Sequence, residues 1–306
     1  YLPHPRGFCA GVDRAINIVE LSLEKYGPPI FVRHEIVHNP WVIKDLESKG
    51  VIFIENLQDA PKGSRVIFSA HGIPQSVLIE ANEKEMPFID ATCPLVIKVH
   101  NEAKRLYKDG AHIFLIGHEG HPEVIGTMGQ IPLDAITLIQ NKQDIKKLEK
   151  SDYKKVALIT QTTLSVDDTK EIIDELKYIF PNIIQPPKED ICYATTNRQL
   201  AIKSIASKCD LIYVIGANNS SNSLRLVEVG KKSGCDKTYL ISDLSEVNWK
   251  LVEKKQKIGL TAGASAPDII IQEFINKLNQ LYNIEIKKVS VAEENITFKI
   301  PKELNE

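Results

Sequence analysis

The sequence predicts an α/β protein built on mostly parallel sheets. Short apolar runs without polar alternation recur along the chain, and amphipathic helical stretches separate them. Strands covered by helices on both faces read as continuous Val/Ile/Leu runs, which is the mark of a parallel sheet. The residues just after those runs are cysteines, histidines, a glutamate and hydroxyls rather than plain turn formers. Open α/β sheets bind ligands at the carboxyl ends of their strands, so the same pattern locates chemistry.

Tyr1-Leu2-Pro3-His4 reads as the tail of a first strand. Val12, Ala15, Ile16, Val19 and Leu23 recur at helical spacing, giving a helix over 11–26 closed by Gly27-Pro28-Pro29. Ile30-Phe31-Val32 is a strand, a helix follows Asn39-Pro40 and stops at Gly50, and Val51–Ile54 and Arg65–Ser69 are strands. A turn at His71-Gly72 opens a helix through Leu78. Strand-sized runs continue at Phe88–Asp90, Ile113–Ile116, Val156–Ile159, Leu211–Ile215 and Ile258–Leu260.

With 306 residues the chain exceeds one usual core, so more than one domain is expected. We divide it into three α/β segments, 1–92, 93–190 and 191–284, with the tail 285–306 joining the first. A formal charge of −2 gives no reason to expect nucleic acid or an anionic membrane as partner. No run reaches the ~18 apolar residues of a membrane span, so the chain is expected to be soluble. Five widely spread cysteines fit a reducing compartment and a chemical or metal role rather than cross-links. The chain starts at Tyr1 without methionine, which we read as a trimmed chain or a processed precursor whose targeting segment is absent.

The strand-end positions are Cys9, His71-Gly72, Cys93, Gly117–Glu123, Thr160–Thr163, Cys192, Asn218–Ser223 and Thr261–Ser265. Cys9, Cys93 and Cys192 each stand in a loop ahead of a helix, one per segment. Amide groups and the dipole at a helix N-terminus favour negative charge, so a lowered thiol pKa is expected at Cys9. A lone Cys9 could equally be a small buried hydrophobe. Three such cysteines suit a soft metal centre. Structural zinc wants four ligands, commonly with a C-x2-C pair that is missing here. A three-cysteine iron–sulfur cluster fits better and leaves one iron open to substrate. Cys209, just before a strand, and Cys235, at a helix end, read as structural.

His4, His34, His100 and His112 read as surface or strand-border residues, whereas His38 and His71 stand in strand-end loops. His118 and His121 flank Glu119 and Gly120, with Glu123 two residues on, and a histidine–glutamate pair can relay protons. Asn218–Ser223 and Ser265-Ala266-Pro267 open helices with polar residues, Pro267 at a first-turn position, and make a phosphate-sized anion site. No Walker A or G-x-G-x-x-G fingerprint is present, so a nucleotide is not indicated.

Nine motifs together resemble the IspH/LytB family: PRGFCAGVDRAI, VRHEIVHNP, SAHGIP, DATCPLVIKVH, GHPEVIGTMGQ, TQTTLSVDDT, DICYATTNRQ, NNSSNS and TAGASAP. They run in order from one end of the chain to near Pro301. The resemblance implies a trefoil of three pseudo-symmetric α/β domains around a central 4Fe-4S cluster held by Cys9, Cys93 and Cys192. It implies a diphosphate bound by His38, His71, His121, Ser220, Ser221, Asn222 and Ser265. Glu123 would deliver protons, with Thr162 bridging to the substrate alcohol and Thr163 and Thr195 nearby. The implied reaction is the two-electron, two-proton reductive dehydroxylation of 4-hydroxy-3-methylbut-2-enyl diphosphate to isopentenyl and dimethylallyl diphosphates. That is the last step of the non-mevalonate (methylerythritol phosphate) pathway. Ferredoxin or flavodoxin would supply electrons to a monomer or weak dimer, in a plastid-type organelle or bacterial cytoplasm. The competing readings are a non-redox Fe-S hydro-lyase and a non-catalytic Fe-S sensor.

Overall fold

The computed structural model describes residues 1–304; the last two residues of the expected tail lie outside the described residues. By internal contact the chain forms two compact units. One comprises 1–13, 37–45 and 193–297; the other comprises 14–36, 46–192 and 298–306.

From the N-terminus run β1 (Leu2–His4), α1 (Ala10–Tyr26), β2 (Ile30–Arg33), α2 (Pro40–Ser48), β3 (Val51–Ile54), β4 (Val66–Phe68), α3 (Gln75–Glu83) and β5 (Phe88–Asp90). Next come α4 (Pro94–Lys108), β6 (His112–Ile116), α5 (Pro122–Met128), β7 (Ile136–Ile139), α6 (Lys142–Ile145), β8 (Val156–Thr160) and α7 (Val166–Ile179). The last part holds α8 (Tyr193–Ala206), β9 (Leu211–Ile215), α9 (Ser221–Lys232), β10 (Thr238–Ile241), α10 (Trp249–Glu253), β11 (Ile258–Ala262), α11 (Asp268–Leu281) and β12 (Lys288–Ser290).

The larger unit contains two sheets, ordered β3-β2-β4-β5 and β7-β6-β8. The other unit contains β10-β9-β11 and the pair β1-β12. Each strand pairing among the described residues is parallel. Strands β6, β8 and β9 are the long apolar runs, and β4, β8 and β9 are buried at each position. A parallel strand covered by helices has no solvent face to carry polar residues.

Two strands inside these sheets carry a weaker signal. β7 and β10 are sheet edges with polar or exposed central positions, so their sequences do not stand out as apolar runs. Helix α3 also runs past Leu78 to Glu83, and Pro267 is the N-cap of α11 rather than part of its first turn. Phe114 is the hub of one core, ringed by Tyr153 and Phe180, each with its ring centroid 5.2 Å away. Truncating a buried phenylalanine leaves a cavity as well as losing transfer energy. Phe114→Ala should therefore cost ~3–5 kcal/mol and lower the thermal midpoint, whereas Tyr178→Ala, 87% exposed, should leave it nearly unchanged.

Candidate functional site

Cys9 directly precedes α1, Cys93 directly precedes α4, and Cys192 directly precedes α8. None of the five cysteines is in a disulfide, and these three are part-exposed while Cys209 and Cys235 are buried in the core. Each of the three stands at a helix N-terminus, where amide groups offset negative charge, and thiolates are the donors that iron–sulfur centres take. Among the described residues no three His, Cys, Asp or Glu are gathered as a single-ion site.

In the smaller unit the Cys9 loop is laid against the end of β11. Gly7 N–H donates to Ala262 O (3.2 Å), and Cys9 N–H donates to Ala264 O (3.3 Å). Gly7 has φ +69°, and a Cβ there would lie 3.2 Å from Ala266 O, so glycine meets both the backbone and the space requirement. The Cys9 thiol does not titrate low as expected. Burial pushes its pKa up, outweighing the Arg198 charge and the Val12 and Gly11 amides, which act in the expected direction.

The polar strand ends of this unit are held by short sets of hydrogen bonds. Ser220 caps α9, its Oγ accepting from Ser223 N–H and from Ser223 Oγ–H. Asn222 donates to Thr195 Oγ1 (3.2 Å) and accepts from Ala264 N–H (2.9 Å). Ser265 Oγ donates to His38 O (2.9 Å), bringing the histidine loop to the same place. Ser221 lies in the first turn of α9 and is buried. Gly216 and Gly263 end β9 and β11, and a Cβ on either would lie 2.1 Å from Ser223 Oγ.

The larger unit brings together His71, His121, Glu123 and Thr162. Cys93 N–H donates to Ala70 O at the end of β4 (3.0 Å), which sets Cys93 beside the His71 turn. The His71 and His121 rings meet edge to face, centroids 5.8 Å apart. His121 caps α5, its Nδ1 accepting from Glu123 N–H (3.1 Å), so Nε2 is the protonated nitrogen of the neutral ring. Glu123 is 3% exposed. Its Oε1 accepts from Thr162 N–H (2.6 Å) and its Oε2 from Thr162 Oγ1 (3.0 Å). Cys192 does not follow a strand of its own; its N–H donates to Thr162 O, which places it at the end of β8 (3.0 Å). Thr163 Oγ1 accepts from Gln161, whose amide oxygen accepts from His118 N–H.

Burial raises the Glu123 carboxyl from 4.5 to about 7; the Thr162 hydrogen bonds oppose the shift, and the Asp190 charge adds to it. Asp190, 5% exposed, was not singled out by sequence, since it lies in a polar stretch with no strand before it. His100 is buried on α4, not at the surface or a strand border. A Cβ on Gly72 (φ +83°) would lie 2.6 Å from its ring. Burial and then Lys104 hold its pKa down at about 4, so it is neutral.

A family model described as "LytB protein" matches residues 1–279. The chain belongs to the LytB protein family. A 4-hydroxy-3-methylbut-2-enyl diphosphate reductase of Paracoccus denitrificans is 51% identical over 306 residues, covering 100% of this chain and 97% of that one. The protein of the same name from Gluconobacter oxydans is 52% identical over 304 residues, 98% of this chain and 90% of that one. The solved structure of the E-1-hydroxy-2-methyl-but-2-enyl-4-diphosphate reductase from Plasmodium falciparum superimposes with a TM-score of 0.96 at 42% identity, covering 100% and 96% of the two chains. A second reductase structure, of the terminal enzyme of the non-mevalonate pathway, gives 0.66 at 31% identity over 92% and 98%. The α/β fold with parallel sheets is thus the fold of this LytB chain. No helix among the described residues is long and apolar enough to cross a membrane.

The raised Glu123 pKa has a consequence for stability. The folded chain binds a proton that the unfolded chain releases near pH 4.5, so the contribution of the neutral carboxyl is present below that pH and is lost as pH rises toward about 7. Glu123→Gln should flatten this decline; thermal midpoints measured from pH 4.5 to 8 check it.

Proposed function

We propose that this chain is an iron–sulfur 4-hydroxy-3-methylbut-2-enyl diphosphate reductase, forming isopentenyl and dimethylallyl diphosphates by two-electron, two-proton loss of water. The observation that carries the reading is the buried Glu123 carboxyl, poised near neutral pH and bonded through both oxygens to one residue, Thr162. A general acid works best with a pKa near the operating pH, and burial supplies that here. Relatives about half identical over the full chain carry the reductase name.

Cys9, Cys93 and Cys192, one from each of the segments 1–92, 93–190 and 191–284, would hold a 4Fe-4S cluster. When bound, that cluster would transfer electrons singly and offer one iron without a protein ligand to the substrate hydroxyl. The protein side of the chemistry is proton delivery and diphosphate binding. Protonated Glu123 donates from Oε2 to Thr162 Oγ1, and the threonine hydroxyl passes its own proton to the departing oxygen, which leaves as water; the second proton goes to the allylic carbon system, where a C–H bond replaces the broken C–O bond with the two electrons from the external donor. The same hydroxyl turns back to the carboxylate once Glu123 is ionised, so one bond serves both states.

His38, His71 and His121, with Ser220, Ser221, Asn222 and Ser265, would bind the diphosphate. Hydrogen bonds to charged groups contribute ~1.5–3 kcal/mol each, and several are needed to offset the ordering of a small polyanion. His121 Nε2–H is set as a donor because Nδ1 is occupied by the Glu123 amide. Thr163 and Thr195 line the same two groups and position their neighbours. Ferredoxin or flavodoxin would be the electron donor to a monomer or weak dimer, in a plastid-type organelle or bacterial cytoplasm.

Anaerobic reconstitution followed by assay with the diphosphate alcohol and a one-electron reductant tests the reading. Each of Cys9→Ser, Cys93→Ser and Cys192→Ser should lose iron, sulfide and activity, while Cys209→Ser should keep all three. Turnover without reductant would instead favour a hydro-lyase. Glu123→Gln should keep the cluster absorbance and lower kcat ~10²–10⁴-fold. The wild-type rate should fall as pH rises above about 7, where the Glu123 proton is lost; a flat profile there would remove Glu123 from the proton path. His38→Ala and His71→Ala should raise KM and leave the cluster spectrum intact.

A further inference from the structure

Two arginines stand behind the cysteine loops. Arg198, on α8, is wholly buried. Its Nε donates to Gly7 O (2.9 Å), and its Nη2 donates to Gly7 O (2.6 Å) and Phe8 O (3.0 Å). Its Nη1 donates to Ala194 O (3.0 Å) and to Glu294 Oε1 (3.0 Å). A guanidinium has five N–H groups, and here each has an acceptor. Two of the carbonyls belong to the residues immediately before Cys9.

Arg14, on α1 and 9% exposed, repeats this at the second cysteine. Its Nη1 donates to Ala91 O (3.3 Å) and Thr92 O (3.1 Å), the two carbonyls immediately before Cys93. Its Nε donates to Lys299 O (2.8 Å). Glu294 and Lys299 lie in the segment 291–301, which holds no helix or strand and follows the residues matched by the family model. The Arg198 contacts are internal to one compact unit and the Arg14 contacts to the other.

We infer that Arg198 and Arg14 are positioning residues for the loops bearing Cys9 and Cys93, and that the C-terminal segment 291–301 is a strap that holds both guanidiniums. The guanidiniums grip carbonyls, so what they fix is the backbone of each loop. The arginines cannot act alone. Their side chains are long and flexible, and the strap supplies the acceptor on the far side of each loop contact. For Arg198 that acceptor is a carboxylate, which also compensates the buried charge. The purpose of the device rests on the proposed cluster-binding role of the cysteines; its geometry does not.

The test reads each cysteine separately. In the full-length protein without iron, under native conditions, iodoacetamide alkylation is followed residue by residue by mass spectrometry. Glu294→Gln should raise the rate at Cys9 about tenfold, the scale of one lost charge-assisted hydrogen bond, and leave Cys93 unchanged. Arg14→Lys should do the reverse. Truncation after Ile296 keeps Glu294 and removes Lys299, so it should free Cys93 and spare Cys9. Buried Cys209 and Cys235 report whether the core has stayed folded. A simple loss of stability would raise all sites together, and that result, or no change in either point variant, overturns the strap. If the truncated chain unfolds, the two point variants decide.

A second arm uses protein reconstituted anaerobically with iron and sulfide. Both point variants should lose iron to a chelator faster than wild type. A wild type that takes up no cluster would defeat the proposed function while leaving the alkylation pattern to judge the strap on its own.

Discussion

A guanidinium withdrawn from water has to find an acceptor for each of its five N–H groups, and Arg198 finds them in the loop ahead of Cys9, in its own helix and in the C-terminal segment. Burying an ion costs several kcal/mol even after relaxation, and removing one partner of a buried pair is destabilising by ~3–5 kcal/mol. That arithmetic makes the contacts mutually dependent. The loop is held because the arginine needs its carbonyls, and the tail is held because the arginine needs a countercharge. An apolar side chain of similar volume could fill the space but could not dictate where the carbonyls of Gly7 and Phe8 point.

The Glu123 carboxyl is a second buried ionisable group, solved differently. Among the described residues it has no cationic partner; two hydrogen bonds from Thr162 are its support, and they fall short of offsetting desolvation, so the neutral acid is favoured up to about pH 7. A salt bridge there would hold the group ionised and useless as an acid. Asp190, buried nearby in charge terms, pushes the same way while being held at Thr160 N–H and Lys98. The contribution of that neutral carboxyl to stability is lost as pH rises toward about 7.

The sequence was most legible where burial is two-sided. β8 and β9 are apolar at nearly every position, and the strand-end cysteines and histidines stand out against them. Strands β7 and β10, short and with part-exposed central positions, were not legible, because a strand open to solvent in its middle does not demand a continuous apolar run. The sequence offers the candidate site residues one by one, but not their contacts. Ser265 reaching the carbonyl of His38, or Arg198 reaching Gly7, joins positions far apart in the chain, and no local pattern encodes such a pair. His100 illustrates the converse. It reads as a surface or strand-border residue, yet Gly72 opens the space that takes its ring inside.

Cys9 shows why a local electrostatic rule can have the right terms and the wrong sum. The helix N-terminus and Arg198 do favour a thiolate, but withdrawal from water disfavours any charge, and burial is the larger effect. The balance changes when a cation arrives. A metal-bound sulfur is not an isolated anion, so its desolvation is compensated by the metal while the amides and the guanidinium still count in full. A loop of this kind can hold a neutral thiol without metal and a thiolate with it, releasing a proton as the metal binds. A helix N-terminus next to such a sulfur favours the charged state in either case.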